Sequence, residues 1–394
     1  MITRVSLAPS PVSVKFAPVP SPLLDPRGAR VILGGTAQDA LATPIAPSPT
    51  SLFGPRGACL CAPAGPLVVC DTGHHRLLLW TTAPARDDAP ADLVIGQPDF
   101  TREGRNAHAS IGPATLNVPT GIAFGDGVLA VADAWNHRVL LWHGIPHRSN
   151  QPAGVVLGQA DFVSGSANRG LAAPRADTLN WCYGVTIADG KLFVADTGNR
   201  RVLVWDKIPT ANGMPADVVM GQHDFTIRDE GSGGERSLGM RWPHAITIAG
   251  TRCFVADAGS SRIMVWERLP NGNGTPCDFV LGQSGFAGGD HNRAAYFPTA
   301  TALNMPYGMT TLNEQLVVAD TANSRLLGFD LATLAMDVPA SALAAQQGFA
   351  DKGDNRWQFA ARDSLCWPYS VAACGDTVAI ADSGNNRVLL WDAA

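Results

Sequence analysis

The chain has 394 residues, of which 46% are hydrophobic and only 16% charged, the profile of a large buried core and not of a disordered polypeptide. Its net charge of −5, with no run of Lys or Arg, lacks the electrostatic footprint of a nucleic-acid binder. No apolar stretch nears the ~20 residues of a membrane span, the start has no apolar signal core, and eight cysteines are too few for a disulfide scaffold. We therefore expect a cytoplasmic protein with neither a nucleic-acid nor a membrane partner.

Residues 1–29 are Pro-rich and read as an extended strap or tether. RVILGG (30–35) follows as an isolated strand, and TPIAPSPTS (43–51) as a connection. From there the chain repeats itself. VVCDTGHHRLLLW (68–80), AVADAWNHRVLLW (130–142), FVADTGNRRVLVW (193–205), FVADAGSSRIMVW (254–266), VVADTANSRLLGF (317–329) and AIADSGNNRVLLW (379–391) share one pattern. Their aspartates are Asp71, Asp133, Asp196, Asp257, Asp320 and Asp382, at steps of 62, 63, 61, 63 and 62 residues. A Gly-Gln motif keeps the same step, with glutamines at 97, 159, 222 and 283 and a degenerate copy at Gln346. A third motif, Leu-Asn-x-Pro-x-Gly in its commonest form, leads each unit.

Each unit holds four short apolar stretches separated by Gly, Asp, Asn or Pro, which read as strands and turns. Pairs such as Asp126-Gly127 and Asp189-Gly190 suit tight hairpins. Six four-stranded antiparallel units predict an all-β, six-bladed β-propeller. Its blades fall at about 52–97, 116–160, 179–223, 240–284, 303–347 and 365–391, within a single propeller spanning 30–394. The sixth unit lacks a fourth strand, and 62 residues before Gln97 lies Gly35. The N-terminal strand at 30–35 should therefore complete the last blade and remove an open sheet edge.

Asp-Thr-Gly-Asn-Arg-Arg-Val at 196–202 resembles the NHL repeat, and Gly-Gln-x-Asp-Phe followed by Leu-Asn-x-Pro-x-Gly is similar to a bacterial subclass of NHL arrays. The resemblance spans residues 30–391 and implies a propeller. It implies no single activity, because such propellers include protein-binding, RNA-binding and lyase members.

Residues present in every blade read as structural. Each Asp is expected to accept backbone N–H groups of the turn that follows it, and each of Arg76, Arg138, Arg201, Arg262, Arg325 and Arg387 to pair with that Asp or with carbonyls of an adjacent blade. The Trp column (80, 142, 205, 266, 391, with Phe329) reads as core between blades, and the recurrent Asn at 106, 168, 292 and 355 as a loop brace. Cys59, Cys70 and Cys277 stand where other blades carry small residues, so they read as packing and not as a metal site.

Function is expected where the blades disagree. The residue after each leading proline, replaced by Cys182 in blade three, starts the channel-lining strand and reads Arg56, Thr120, Tyr183, His244, Tyr307 and Tyr369. Two places before that proline position stand Phe53, Asn117, Asn180, Arg241, Asn304 and Cys366, with Trp181, Trp242 and Trp367 between. Aromatic and Arg side chains are the types that binding hot spots favour. Arg56, Tyr183, Arg241, His244, Tyr307 and Tyr369 are therefore the candidate ligand-binding residues of a funnel mouth that takes a protein, peptide or small-molecule ligand. His74, His75, Trp135 and His137 in the turns form a second variable set. No spacing identifies a cofactor, a metal site or a catalytic constellation. The alternative is an enzyme with a channel-centred site, a lyase or hydrolase with or without a metal, in which His244 would be a base and Cys182 a nucleophile.

Overall fold

The computed structural model describes residues 19–35 and 45–394; most of the strap at 1–29 and the start of the connection at 43–51 lie outside them. Blade one is β3 (Gly57–Leu60), β4 (Leu67–Asp71), β5 (Arg76–Trp80) and β6 (Leu93–Ile95). Blade two is β7 (Pro119–Gly125), β8 (Val128–Asp133), β9 (Arg138–His143) and β10 (Val155–Leu157). Blade three is β11 (Val185–Ala188), β12 (Lys191–Asp196), β13 (Arg201–Trp205) and β14 (Val218–Met220). Blade four is β15 (Pro243–Ala249), β16 (Arg252–Asp257), β17 (Arg262–Trp266) and β18 (Phe279–Leu281). Blade five is β19 (Pro306–Leu312), β20 (Gln315–Asp320), β21 (Arg325–Asp330) and β22 (Ala342–Ala344), and blade six ends with β23 (Pro368–Cys374), β24 (Thr377–Asp382) and β25 (Arg387–Asp392).

The sixth sheet is completed by β2 (Val31–Gly34), which pairs antiparallel with β25 and places Val31 opposite Leu390. The ring is thus closed by the N-terminal strand, as the repeat step requires. Upstream residues are also tied down. β1 (Ser21–Pro22) adds a short parallel fifth strand beside β22 of blade five. The Trp391 indole N–H donates to the Asp25 carbonyl at 2.9 Å. The described end of the strap therefore spans blades five and six instead of hanging free.

The second and third strands of each blade are apolar on both sides because both sheet faces are covered by neighbours. Every residue of β5, β13 and β17 is buried. Each apolar cluster joins adjacent blades; Val31, Leu33 and Leu390 of blade six, for example, pack with Leu67, Val69 and Trp80 of blade one. The Trp column does lie in this interior, and the indole N–H groups of blades one to four find a carbonyl nine residues on, as Trp205 does on Met214 at 3.1 Å, while Trp391 uses Asp25. A buried indole needs such a partner.

A repeated polar network locks the rim of every blade. Asp196 accepts from Arg201 Nε at 2.8 Å and Asn199 Nδ2 at 2.7 Å through one oxygen, and from the Asn180 backbone N–H at 2.7 Å through the other. The aspartate thus takes its backbone N–H from sixteen residues back, at the start of its own blade, and from the turn that follows it takes the Asn199 side chain and not the expected backbone N–H groups. The arginine pairs with it and then donates to Phe225, Arg175 and Thr178 carbonyls in the loops on either side. Gln222 Nε2 holds the carbonyls of Arg200 and Asp229, within its own blade and its outgoing loop. The recurrent loop Asn does brace, pairing side chain to side chain with the turn Asn: Asn168 with Asn199, Asn292 with Asn323.

Candidate functional site

Five of the six candidate residues of the channel-lining column meet in one closed ring. Tyr183 and His244 have ring centroids 4.6 Å apart, His244 stacks on Tyr307 at 4.3 Å and 15°, and Tyr307 lies 4.7 Å from Tyr369. The Arg56 guanidinium closes the circle, 4.8 Å over the Tyr369 ring and donating to the Tyr183 hydroxyl at 2.6 Å. Thr120 is the sixth member of the column. It is buried, with its hydroxyl on the Tyr183 carbonyl at 2.9 Å, and Arg56 reaches past it.

The backbone explains why these side chains converge. In blade four Pro243 pairs with Asp257 but Ala245 with Ala256, so His244 is the extra residue of a β-bulge. The same irregularity falls at Tyr307 and Tyr369. A bulge re-aims the inserted side chain, here toward the channel axis. The next residue must then clear the neighbouring blade: a Cβ on Gly184 would lie 2.0 Å from the His244 carbonyl oxygen.

Below the ring is a channel space of about 290 Å³ walled by the innermost strands of all six blades. Thr186 and Thr247 stitch that wall, their hydroxyls on the Ile246 and Met309 carbonyls of the next blade at 2.7 and 3.2 Å. Above the ring is a cup of about 560 Å³ lined by Phe53, Trp135, Trp181 and Trp367, with Arg56, Tyr183 and Tyr369 in its floor. Arg56, Tyr183 and Tyr369 line both spaces, so they form the wall between cup and channel. Large aromatic surface is left in water: Trp135 is 49% exposed and Phe53 42%.

His244 is packed among the neighbouring rings and keeps a partial opening on the channel. Burial pushes its pKa down to about 4, and the Arg56 charge acts the same way. Its Nδ1–H donates to the Trp242 carbonyl at 2.9 Å, leaving Nε2 without a hydrogen-bond partner among the described residues. Burial also raises the Tyr183 and Tyr307 phenols above their ordinary range. At neutral pH the aromatic ring is therefore uncharged, with Arg56 as its one cation.

Arg241 is not brought into this ring. It lies beside it, its guanidinium 5.3 Å from the Trp242 ring and 3.3 Å from Glu230 of the atypical loop at 226–239. The turn histidines hold structure, and His75 also lines the cup. His75 Nδ1 accepts the Val118 backbone N–H at 3.0 Å, and His137 Nδ1 accepts that of Trp181 at 2.9 Å. Ser261, Ser324 and Asn386 do the same for Met305, Trp367 and Gly54. Only Arg200 cannot accept, and Trp242 turns to its own Asp257 instead. His74 is wholly buried with Nδ1 on Asp71 and Nε2 on the Ile45 carbonyl, both at 2.7 Å. Burial works against its charge, but the hydrogen bond and charge of Asp71 prevail and its pKa is raised. Cys182 is fully buried with Sγ on the Arg138 carbonyl, and burial drives its thiol well above the reactive range. Among the described residues no three His, Cys, Asp or Glu side chains cluster as a metal site, and no helix is long and apolar enough to cross a membrane.

All four large aromatics of the cup, Phe53, Trp135, Trp181 and Trp367, stand outside the six candidate residues, although the sequence puts Phe53, Trp181 and Trp367 beside the leading motif and Trp135 in a turn. Phe53 could be found as the one aromatic in a column otherwise of Asn, Arg and Cys. Nothing in the sequence shows that the Trp135 turn leans over the same mouth.

Fold and site together define a six-bladed β-propeller with a plugged channel and an aromatic mouth. No family model matches the sequence. The chain is 25% identical over 365 residues to NHL repeat-containing protein 2 of Gallus gallus, covering 83% of this chain and 44% of that protein. The protein of the same name from Homo sapiens is 24% identical over 218 residues, covering 50% of this chain and 27% of its own length. The chain thus spans less than half the length of the curated relatives it matches. A protein of unknown function from Bacteroides thetaiotaomicron VPI-5482 has a similar fold, with a TM-score of 0.52, 13% identity and coverage of 95% of this chain and 75% of that one. The repeated motifs, the six blades and the curated matches support an NHL-repeat propeller.

Proposed function

We propose that the chain is a binding propeller whose funnel mouth recognises a protein, peptide or small ligand. The observation that carries this reading is the cup: four large aromatic side chains around an Arg-centred floor, on the face where the blades differ most. Rigid aromatic surface loses little side-chain entropy on binding and concentrates affinity. The test is cross-linked capture from the native host, comparing the wild type with a folded Trp135→Ser, Trp181→Ser variant. A species retained by the wild type alone supports the reading, and identical or empty catches remove it.

The enzyme reading rests on one observation, the unpartnered Nε2 of a neutral His244. A base with a pKa near 4 is weak at neutral pH, so this reading ranks second. A turnover lost in His244→Gln with binding retained would reverse that order.

A further inference from the structure

Resting on the binding reading above, we infer that the mouth selects a ligand bearing a carboxylate on an aromatic or flat apolar body, with Arg56 as the anion-binding group. Arg56 is the only Asp, Glu, Lys or Arg among the residues that line either the cup or the channel. The blade arginines are all matched to buried aspartates, Arg138 to Asp133 at 2.7 Å for example, whereas Arg56 forms no ion pair among the described residues. Among the described residues the one hydrogen bond of its guanidinium goes to the neutral Tyr183 hydroxyl. A guanidinium carries five N–H donors, so four have no acceptor among the described residues. The faces of Tyr369 and Tyr183, at 4.8 and 5.8 Å, hold the cation in place without neutralising it.

The surroundings also indicate which anion. A phosphate site is usually built from several backbone N–H groups or a second cation. Around this cup the backbone donors are already used: Gly54 on Asn386, Gly73 on Phe53, Val118 on His75, Trp181 on His137 and Gly384 on Cys366. Beside single ring N–H groups of His75 and the cup indoles, the one charged donor left is the planar fork of Arg56, which matches the two oxygens of one carboxylate. The indole and phenyl rims supply the apolar faces for the body that carries it.

The experiment titrates full-length protein with phenylacetate and with its uncharged isostere phenylacetamide, reading backbone and indole N–H shifts by NMR. A parallel arm uses the tripeptide Ala-Ala-Phe with a free or an amidated C-terminus, and a third uses inorganic phosphate. The expected result is binding of phenylacetate or the free-acid peptide at least about tenfold tighter than its neutral partner. Whichever acid binds distinguishes a small-molecule source from a chain terminus. Arg56→Met should abolish that preference, and Arg56→Lys, which keeps the charge but not the fork, should retain part of it. Equal binding of acid and amide, no binding of any carboxylate, tighter binding of phosphate, or an acid preference surviving in Arg56→Met would each overturn the inference. The binding reading would outlive all four, provided the Trp135→Ser, Trp181→Ser variant still loses its captured species.

Discussion

The turn layer and the mouth ring are both regions where the six blades carry different side chains, yet their differences have different meanings. In the turns His75, His137, Ser261, Ser324 and Asn386 look unrelated but perform one task, accepting the leading backbone N–H of the next blade. In the ring Arg56, Tyr183, His244, Tyr307 and Tyr369 look equally varied, and they touch chiefly one another and open space. Variation among repeats is thus no mark of function by itself. It becomes one when the side chain's polar atoms are left without a structural partner.

The comparison can be broken, and the largest effects belong to the network that both regions rest on. Asp196→Ala leaves Arg201 buried and unpaired and should cost about 3–5 kcal/mol in denaturant unfolding. Next comes the pH dependence of the ring. His244 is held near pKa 4 in the folded state against 6.5 when free. The unfolded chain therefore takes the proton first as pH falls. Wild type should lose up to about 3 kcal/mol relative to His244→Phe between pH 6.5 and 4, with no further difference below. His74 runs the other way: its pKa is raised, so its contribution is complete below pH 6.5 and fades as pH rises through its folded value.

Smaller effects sharpen the contrast. His137→Ala removes the acceptor of the Trp181 N–H and should cost about 1–2 kcal/mol, whereas His137→Asn should recover most of it, since Asn386 does the same work in blade six. Tyr369→Leu should cost only about 0.5–1.5 kcal/mol in thermal unfolding. It should nonetheless weaken binding at the mouth, because it removes one of the two faces that hold Arg56. A turn substitution that altered binding without changing stability would erase the distinction.

Blade number, strand order and ring closure were legible because a 62-residue step repeats the same aspartate, arginine and tryptophan. The ring was legible as a column, since all five of its members follow the same motif position. Its closure was not. The bulge that turns His244, Tyr307 and Tyr369 inward depends on pairing with the second strand of each blade, and no local residue pattern encodes that pairing. Arg241 stands outside the ring for a related reason: three residues before His244, it lies ahead of the bulge and follows the loop to Glu230. The turn histidines gave no signal, because an acceptor for a neighbouring blade can be imidazole, hydroxyl or amide alike.

The pairing of Val31–Gly34 with Arg387–Asp392 sets a timetable for the molecule during its synthesis. The strand that completes the sixth blade leaves the ribosome before any of the blades, and its partner emerges more than 350 residues later. At the ~5–20 residues per second of translation, β2 waits tens of seconds with its backbone donors and acceptors unsatisfied. Blades one to five can assemble as they appear, but the arc they form keeps two open edges until Asp392 is in place. Susceptibility to aggregation or chaperone capture should therefore be concentrated in that interval and end abruptly when the circle shuts.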